Sequence, residues 1–360
     1  SESTVVFHDL LAAILRRLAP AHFITHNCMG LHDTLDYHRL AENLDFVSWN
    51  NYPVNYWDED GAHQALAHDV MRGLKRRNFW IMEEQSGIAA WERMSRRPAP
   101  GQIRAWAWQA VGHGADAVIF FRWRSCLYGT EQHWQGILDH DGLPRRRYRE
   151  IALFGREIGE VSPALDESAP GNQVAILNSY EQNWALQIQP QAEGLGWWEQ
   201  VRRFYDSLSR LGVPVDLVPI EADLETYRLI IVPSWYLLTE EAARRLTVYV
   251  QGGGTLILNP RTGVKNANNT CHPLALPGFL ADLAGLEIDD YDPLGRSSSL
   301  VRLAGGEEFA VSVWADALTL RGAEVFASYS APPFSGEPAI ARRELDRKST
   351  RLNSSHGIIS

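Results

Sequence analysis

Apolar residues recur along residues 1–160 in two alternating rhythms. From Phe7 to Leu18 they fall at helical spacing and stop before Pro20, which predicts an opening helix over 7–18. Four short apolar runs follow, His22 to Thr25, Leu44 to Trp49, Phe79 to Met82 and Ala115 to Phe121, each of strand length. Helical patterns near 35–43, 61–76 and 101–112 separate them, and another at about 147–159 closes the series. Alternating strands and helices, with strands apolar on both faces, predict a parallel sheet. Four such units starting on a helix are half of an eightfold β/α barrel. Half a barrel leaves open sheet edges and an apolar face, which implies further units upstream. A small open α/β sheet is the alternative architecture.

Ser162-Pro163 to Ala169-Pro170-Gly171 is polar and Pro-bearing, and predicts a linker over 161–171 between a first domain at 1–160 and a second at 172–346. In the second, Val174 to Leu177, Val215 to Val218, Leu229 to Val232 and Thr255 to Leu258 read as strands, and 197–211 and 239–250 as helices. That order predicts a doubly wound α/β domain. Gly252-Gly253-Gly254 lies after a helix and before a strand, the reverse of the order that aims a helix N-terminus at a phosphate, so it reads as a turn. The stretch from Arg347 to His356 resembles translated sequencing-adapter read-through, so residues 347–360 are set apart as a non-native tail.

A net charge of −10 offers no basic surface to release counterions, which argues against nucleic-acid and anionic-membrane partners. No apolar run reaches the roughly 18 residues of a membrane span. Cys28, Cys126 and Cys271 are odd in number and lack metal or disulfide spacing. With no basic signal-peptide start at Ser1-Glu2-Ser3-Thr4, these features fit a reducing, cytoplasmic location. His22 and His26 share one apolar run and read as packing rather than as a metal pair. No cofactor or metal is expected. The 13 Trp residues are the unusual count: an indole face covers the C–H side of a pyranose, although abundant Trp more often fills a core than a site.

The third apolar run ends in Glu83-Glu84-Gln85, at the strand end where barrels mount catalytic groups. Retaining glycoside hydrolysis needs two carboxyls about 5–5.5 Å apart, one to attack the anomeric carbon and one to protonate the leaving oxygen. Strict alternation puts Glu83 on the face of Phe79 and Ile81, and Glu84 on that of Trp80 and Met82. Both faces are apolar, so the pattern leaves the choice between the two glutamates open, as it leaves open a salt-bridged rim. Other candidates follow strand ends: Trp49-Asn50-Asn51-Tyr52-Pro53, Trp91, Arg122-Trp123-Arg124 and Glu131-Gln132-His133-Trp134.

Several of these segments, in order, resemble motifs of the β-galactosidases of glycoside hydrolase family 42. They are Thr25 to Gly30, Val47 to Pro53, Phe79 to Glu83, Pro100 to Arg104, and His113 to Arg124. The resemblance covers most of residues 20–150, and residues 172–345 resemble the family's second domain, an amidotransferase-like α/β fold used for trimer formation. It implies the C-terminal half of a (β/α)8 TIM barrel, a retaining β-galactosidase, a β-galactoside substrate and a homotrimer. It makes Glu83 the nucleophile and Tyr52 the tyrosine that hydrogen-bonds it. It also makes Trp91 a substrate-stacking residue and Glu131 a carboxylate that binds sugar hydroxyls. Trp134 stands where the family has a sugar-binding histidine, with His133 beside it. The family's acid/base glutamate lies upstream of every segment matched here, so no residue of this chain takes that role and the fragment is expected to be inactive alone.

Two other readings fit the same residues: another retaining glycosidase such as an α-L-arabinopyranosidase, and a non-catalytic sugar-binding or oligomer scaffold. An active amidotransferase does not fit, because Cys271 lies in an Asn-rich loop and not on a sharp strand-to-helix turn.

Overall fold

The computed structural model describes residues 2–53, 61–91, 93–166 and 168–345, with the backbone of 351–355 and 357–359. The chain divides into two compact units, residues 1–171 and 172–360.

The first unit runs α1 (Glu2–Leu18), β1 (Asn27–Cys28), α2 (Tyr37–Ala41), β2 (Ser48–Asn51), α3 (Gly61–Lys75), β3 (Phe79–Gln85), α4 (Gln102–Gly112), β4 (Ala115–Phe121) and α5 (Arg146–Leu165). Its four strands are parallel and lie in sequence order. Helices covering such a sheet must bury their own apolar faces, and α3 is buried from Gln64 to Leu74. Within it, Arg72 Nη1 donates to Asp69 Oδ1 at 2.6 Å and to the His113 carbonyl at 2.7 Å, tying α3 to the end of α4. On α5, Phe154 meets Trp108 of α4 and Phe120 of β4 edge-on.

Three element boundaries differ from the sequence expectation. The run His22 to Thr25 is not a strand, because Asp45 satisfies its backbone instead: Ile24 N–H donates to Asp45 Oδ2 at 2.6 Å and Asp45 N–H to the Ile24 carbonyl at 2.9 Å. Ladder pairing begins only at Asn27 opposite Ser48. Leu44 and Val47, read as strand, are buried in the turn ahead of β2. Finally, α5 passes through Ser162-Pro163 to Leu165, where the Asp166 N–H closes it on the Ser162 carbonyl, so the first part of the expected linker is helical.

The second unit contains β5 (Val174–Leu177), α6 (Tyr180–Ile188), α7 (Trp197–Arg210), β6 (Val215–Val218), β7 (Leu229–Val232), α8 (Glu240–Gln251), β8 (Thr255–Leu258), α9 (Ala281–Ala284), β9 (Leu286–Leu303), β10 (Glu308–Leu320), β11 (Glu324–Tyr329) and β12 (Pro338–Glu344). The order β6-β5-β7-β8 is parallel, the doubly wound core that the apolar runs predict. The sheet then continues into antiparallel β9 to β12, which the sequence did not announce. Much of β9 is exposed, so it carries no apolar run.

The backbone of 351–355 forms β13 between β12 and β8, and that of 357–359 forms β14 beside β10. The segment set apart as a tail therefore occupies the free edge of β8. Ladder pairing satisfies main-chain donors and acceptors and asks nothing of side-chain identity.

Gly252 to Gly254 form the expected helix-to-strand turn, with the Gly252 N–H on the Val248 carbonyl and the Gly254 N–H on that of Tyr249. A Cβ on Gly254 would lie 2.1 Å from Tyr249 Cζ. That ring is buried and its hydroxyl is fixed on the Tyr227 and Thr255 carbonyls, so it has no room to yield. Gly254→Ala is expected to lower stability by about 1–3 kcal/mol in a urea titration.

Candidate active site at the strand ends

Strand β3 contains one residue more than either neighbour at the point where the carboxylates stand. Against β2, Trp49 pairs with Ile81 and Asn50 with Glu83, passing over Met82. Against β4, Ile81 pairs with Val118 and Glu84 already with Phe120. A bulge of this kind inverts the phase of every later side chain. Glu84 consequently joins Phe79 and Ile81 as fully buried, while Glu83 shares the partial exposure of Trp80 and Met82. The alternation expected from sequence is therefore wrong in its assignment of faces, and the bulge separates the two glutamates.

Glu83 is held from two strands. The Tyr52 hydroxyl, just past β2, donates to Glu83 Oε2 at 2.6 Å, and Asn27 Nδ2 of β1 lies 3.4 Å from Oε1. The first bond has the length of a charge-assisted O–H···O⁻ contact. Burial, and then the hydrogen bond to Glu83, raise the Tyr52 phenol far above its ordinary value, so it keeps its proton and acts only as a donor. Glu84 instead accepts from Asn51 Nδ2 at 2.9 Å.

Tyr52 belongs to an aromatic cluster. Its ring meets Trp91 edge-on at 5.0 Å and Trp134 at 5.2 Å, and the two indoles meet at 4.6 Å. Trp91 is half exposed and presents ring surface at the rim. Trp134 is buried, and its indole N–H is consumed by the Ala90 carbonyl at 2.8 Å, so it supports the cluster and has no polar atom to offer. Glu131 is exposed, its Oε2 2.7 Å from Arg122 Nη2, with the Arg122 guanidinium lying 4.7 Å from the Phe121 ring centre. His133 is exposed.

Other candidates are structural. Trp49 is buried edge-on against His68, and Arg124 bonds the His140 carbonyl. His26 meets His8 edge-on, outside any strand. Among the described residues no group of three or more His, Cys, Asp or Glu is arranged to hold a metal. Burial pushes the Cys28 thiol up to about 12, which makes it inert. Asn27 and Asn51 had no assigned role in the sequence reading, although each lies in a segment singled out there, Thr25 to Gly30 and Trp49 to Pro53.

Residues 1–161 match the family model described as β-galactosidase, and residues 172–352 the β-galactosidase trimerisation domain. The chain belongs to glycoside hydrolase family 42. Among its relatives, the β-galactosidase BgaA of Clostridium cellulovorans is 39% identical over 344 residues, covering 94% of this chain and 52% of its own. The solved β-galactosidase of Halorubrum lacusprofundi is 35% identical with a TM-score of 0.93, over 100% of this chain and 55% of its own. That of Bacillus circulans sp. alkalophilus is 28% identical with a TM-score of 0.91, over 96% and 52%. The chain spans about half the length of the curated relatives it matches. Its four parallel strands are the C-terminal half of the family's TIM barrel, and its second unit is the trimerisation domain. Among the described residues no helix is long and apolar enough to cross a membrane.

Proposed function

We propose that this chain carries the nucleophile half of a retaining β-galactosidase site, together with the domain that assembles the enzyme as a homotrimer. The observation that supports it most is the Glu83 carboxylate at a strand end, gripped by Tyr52 at 2.6 Å beside the half-exposed face of Trp91. Glu83 attacks the anomeric carbon of a terminal β-galactoside as the bond to the leaving oxygen breaks, giving a glycosyl-enzyme ester. A second carboxylic acid protonates that oxygen, then takes the proton from the water that displaces Glu83, so configuration is retained. Trp91 covers the apolar face of the sugar, and Glu131, fixed by Arg122, accepts from its hydroxyls.

Among the described residues no carboxyl fits the acid/base role. Glu84 is buried and faces away from Glu83's side of the strand, and Glu131 is committed to Arg122. As the family resemblance implies, we assign that role to a segment upstream of the motifs matched here, and expect the purified chain to hydrolyse no aryl β-galactoside above the buffer rate. A chimera in which the Clostridium cellulovorans relative supplies the rest of the barrel should turn over with retention, and a 2-deoxy-2-fluorogalactoside should label Glu83. Turnover by the chain alone, or a label on any other residue, contradicts the reading.

A further inference from the structure

Among the described residues, Glu84 and Asn51 leave two buried oxygens without a donor. Asn51 Nδ2 donates to Glu84 Oε2 at 2.9 Å, while Glu84 Oε1 and Asn51 Oδ1 are both buried with no hydrogen-bond partner among those residues. An ionised Glu84 makes these two atoms acceptors only, and buried unpaired acceptors are costly. One proton removes both defects. A primary amide offers a donor and an acceptor side by side, and a neutral carboxylic acid offers the complement.

We propose that Glu84 is held as a neutral carboxylic acid whose O–H donates to Asn51 Oδ1, and that this acid–amide pair latches β2 to β3 directly behind Tyr52 and Glu83. Its surroundings fit. Complete burial pushes the Glu84 carboxyl up to about 8, against the smaller opposing pulls of its bonds to Asn51 and the Gln85 backbone. Glu83 lies on the other side of the same strand, Tyr52 beyond β2 is the titratable group that feels its charge, and β4 pairs Phe120 with it. No cation among them favours a charge there. The latch also leaves Glu83 as the single charge of the glutamate pair. The catalytic purpose of the latch rests on reading Glu83 as the nucleophile; the protonation does not.

Infrared difference spectra of the full chain against Glu84→Gln test it, since glutamine preserves both bonds of the ring without a titrating proton. A protonated-carboxyl carbonyl band is expected in the wild type at pH 7, absent from E84Q and lost with a midpoint at about pH 8. Because the folded value lies above the unfolded one, the contribution of Glu84 is full below about pH 4.5 and fades as pH rises to about 8. Relative to E84Q, the wild-type folding constant should therefore fall roughly tenfold per pH unit across that window. A carboxylate signature at pH 7, as a bridging water would give, or parallel stability profiles, would overturn the proposal. In the chimera, kcat should decline through about pH 8 in the wild type but not in E84Q. A chimera inactive at every pH counts against Glu83 as nucleophile, while the infrared result still decides the proton.

Discussion

Glycine at position 83 is expected to reduce turnover of an aryl β-galactoside by the chimera at least about 10⁴-fold, the scale on which removing a covalent nucleophile acts. The fold should survive, because Glu83 is only half-buried and its two partners, Tyr52 and Asn27, are left facing the space it vacates. That space makes the test specific. Azide entering it attacks the anomeric carbon from the side Glu83 used, and the C–N bond forms as the aryl oxide leaves. The product is an α-galactosyl azide, formed with one inversion, whereas the intact enzyme returns the β-configured sugar after two. Rescue should depend on an activated aryl leaving group. Glu84→Gly should show no rescue, since Glu84 lies in the buried phase of β3. Azide rescue at Glu84 and not at Glu83 would reverse the assignment.

How far this site was readable from the chain depends on what each feature rests on. The β/α alternation was visible because a parallel strand buried on both faces must be apolar at nearly every position, as at Ala115–Phe121. The first strand was misplaced because an apolar run says nothing about where the ladder starts, and a single side chain, Asp45, diverts the backbone of Ile24. The bulge at Met82 was invisible for a stronger reason. It exists only in the register of β3 against β2 and β4, and no local pattern encodes a register. The family resemblance points to Glu83 without it, and the bulge accounts for the different burial of Glu83 and Glu84. Strand β9 was not legible because an exposed antiparallel segment needs no continuous apolar face. The change at Trp134 was legible as a departure, but its consequence was not. Only the bond to Ala90 shows that the indole has no hydrogen bond left to give.

Phenylalanine at position 52 should separate the two halves of the catalytic cycle. It keeps the ring that packs edge-on against Trp91 and Trp134 and removes only the hydroxyl bonded to Glu83. A hydrogen bond to a charged group contributes about 1.5–3 kcal/mol, or about 10- to 150-fold in rate if it acts wholly in one transition state. In the first step the Glu83 carboxylate gives up its charge to the sugar, so the Tyr52 bond weakens on the way to the transition state and its loss slows that step little. In the second step the carboxylate is the leaving group, and its returning charge is what the phenol stabilises. Release of the glycosyl-enzyme should therefore slow by the full factor while its formation does not, and the intermediate should accumulate. The expected record is a burst of aryl alcohol followed by a slow steady state, with kcat and KM falling together and kcat/KM nearly preserved. Because Tyr52 stays protonated well above the working range, no alkaline limb of the wild-type profile should disappear in the variant. Equal losses in kcat and kcat/KM, with no burst, would mean that Tyr52 orients Glu83 for attack and does not stabilise its departure.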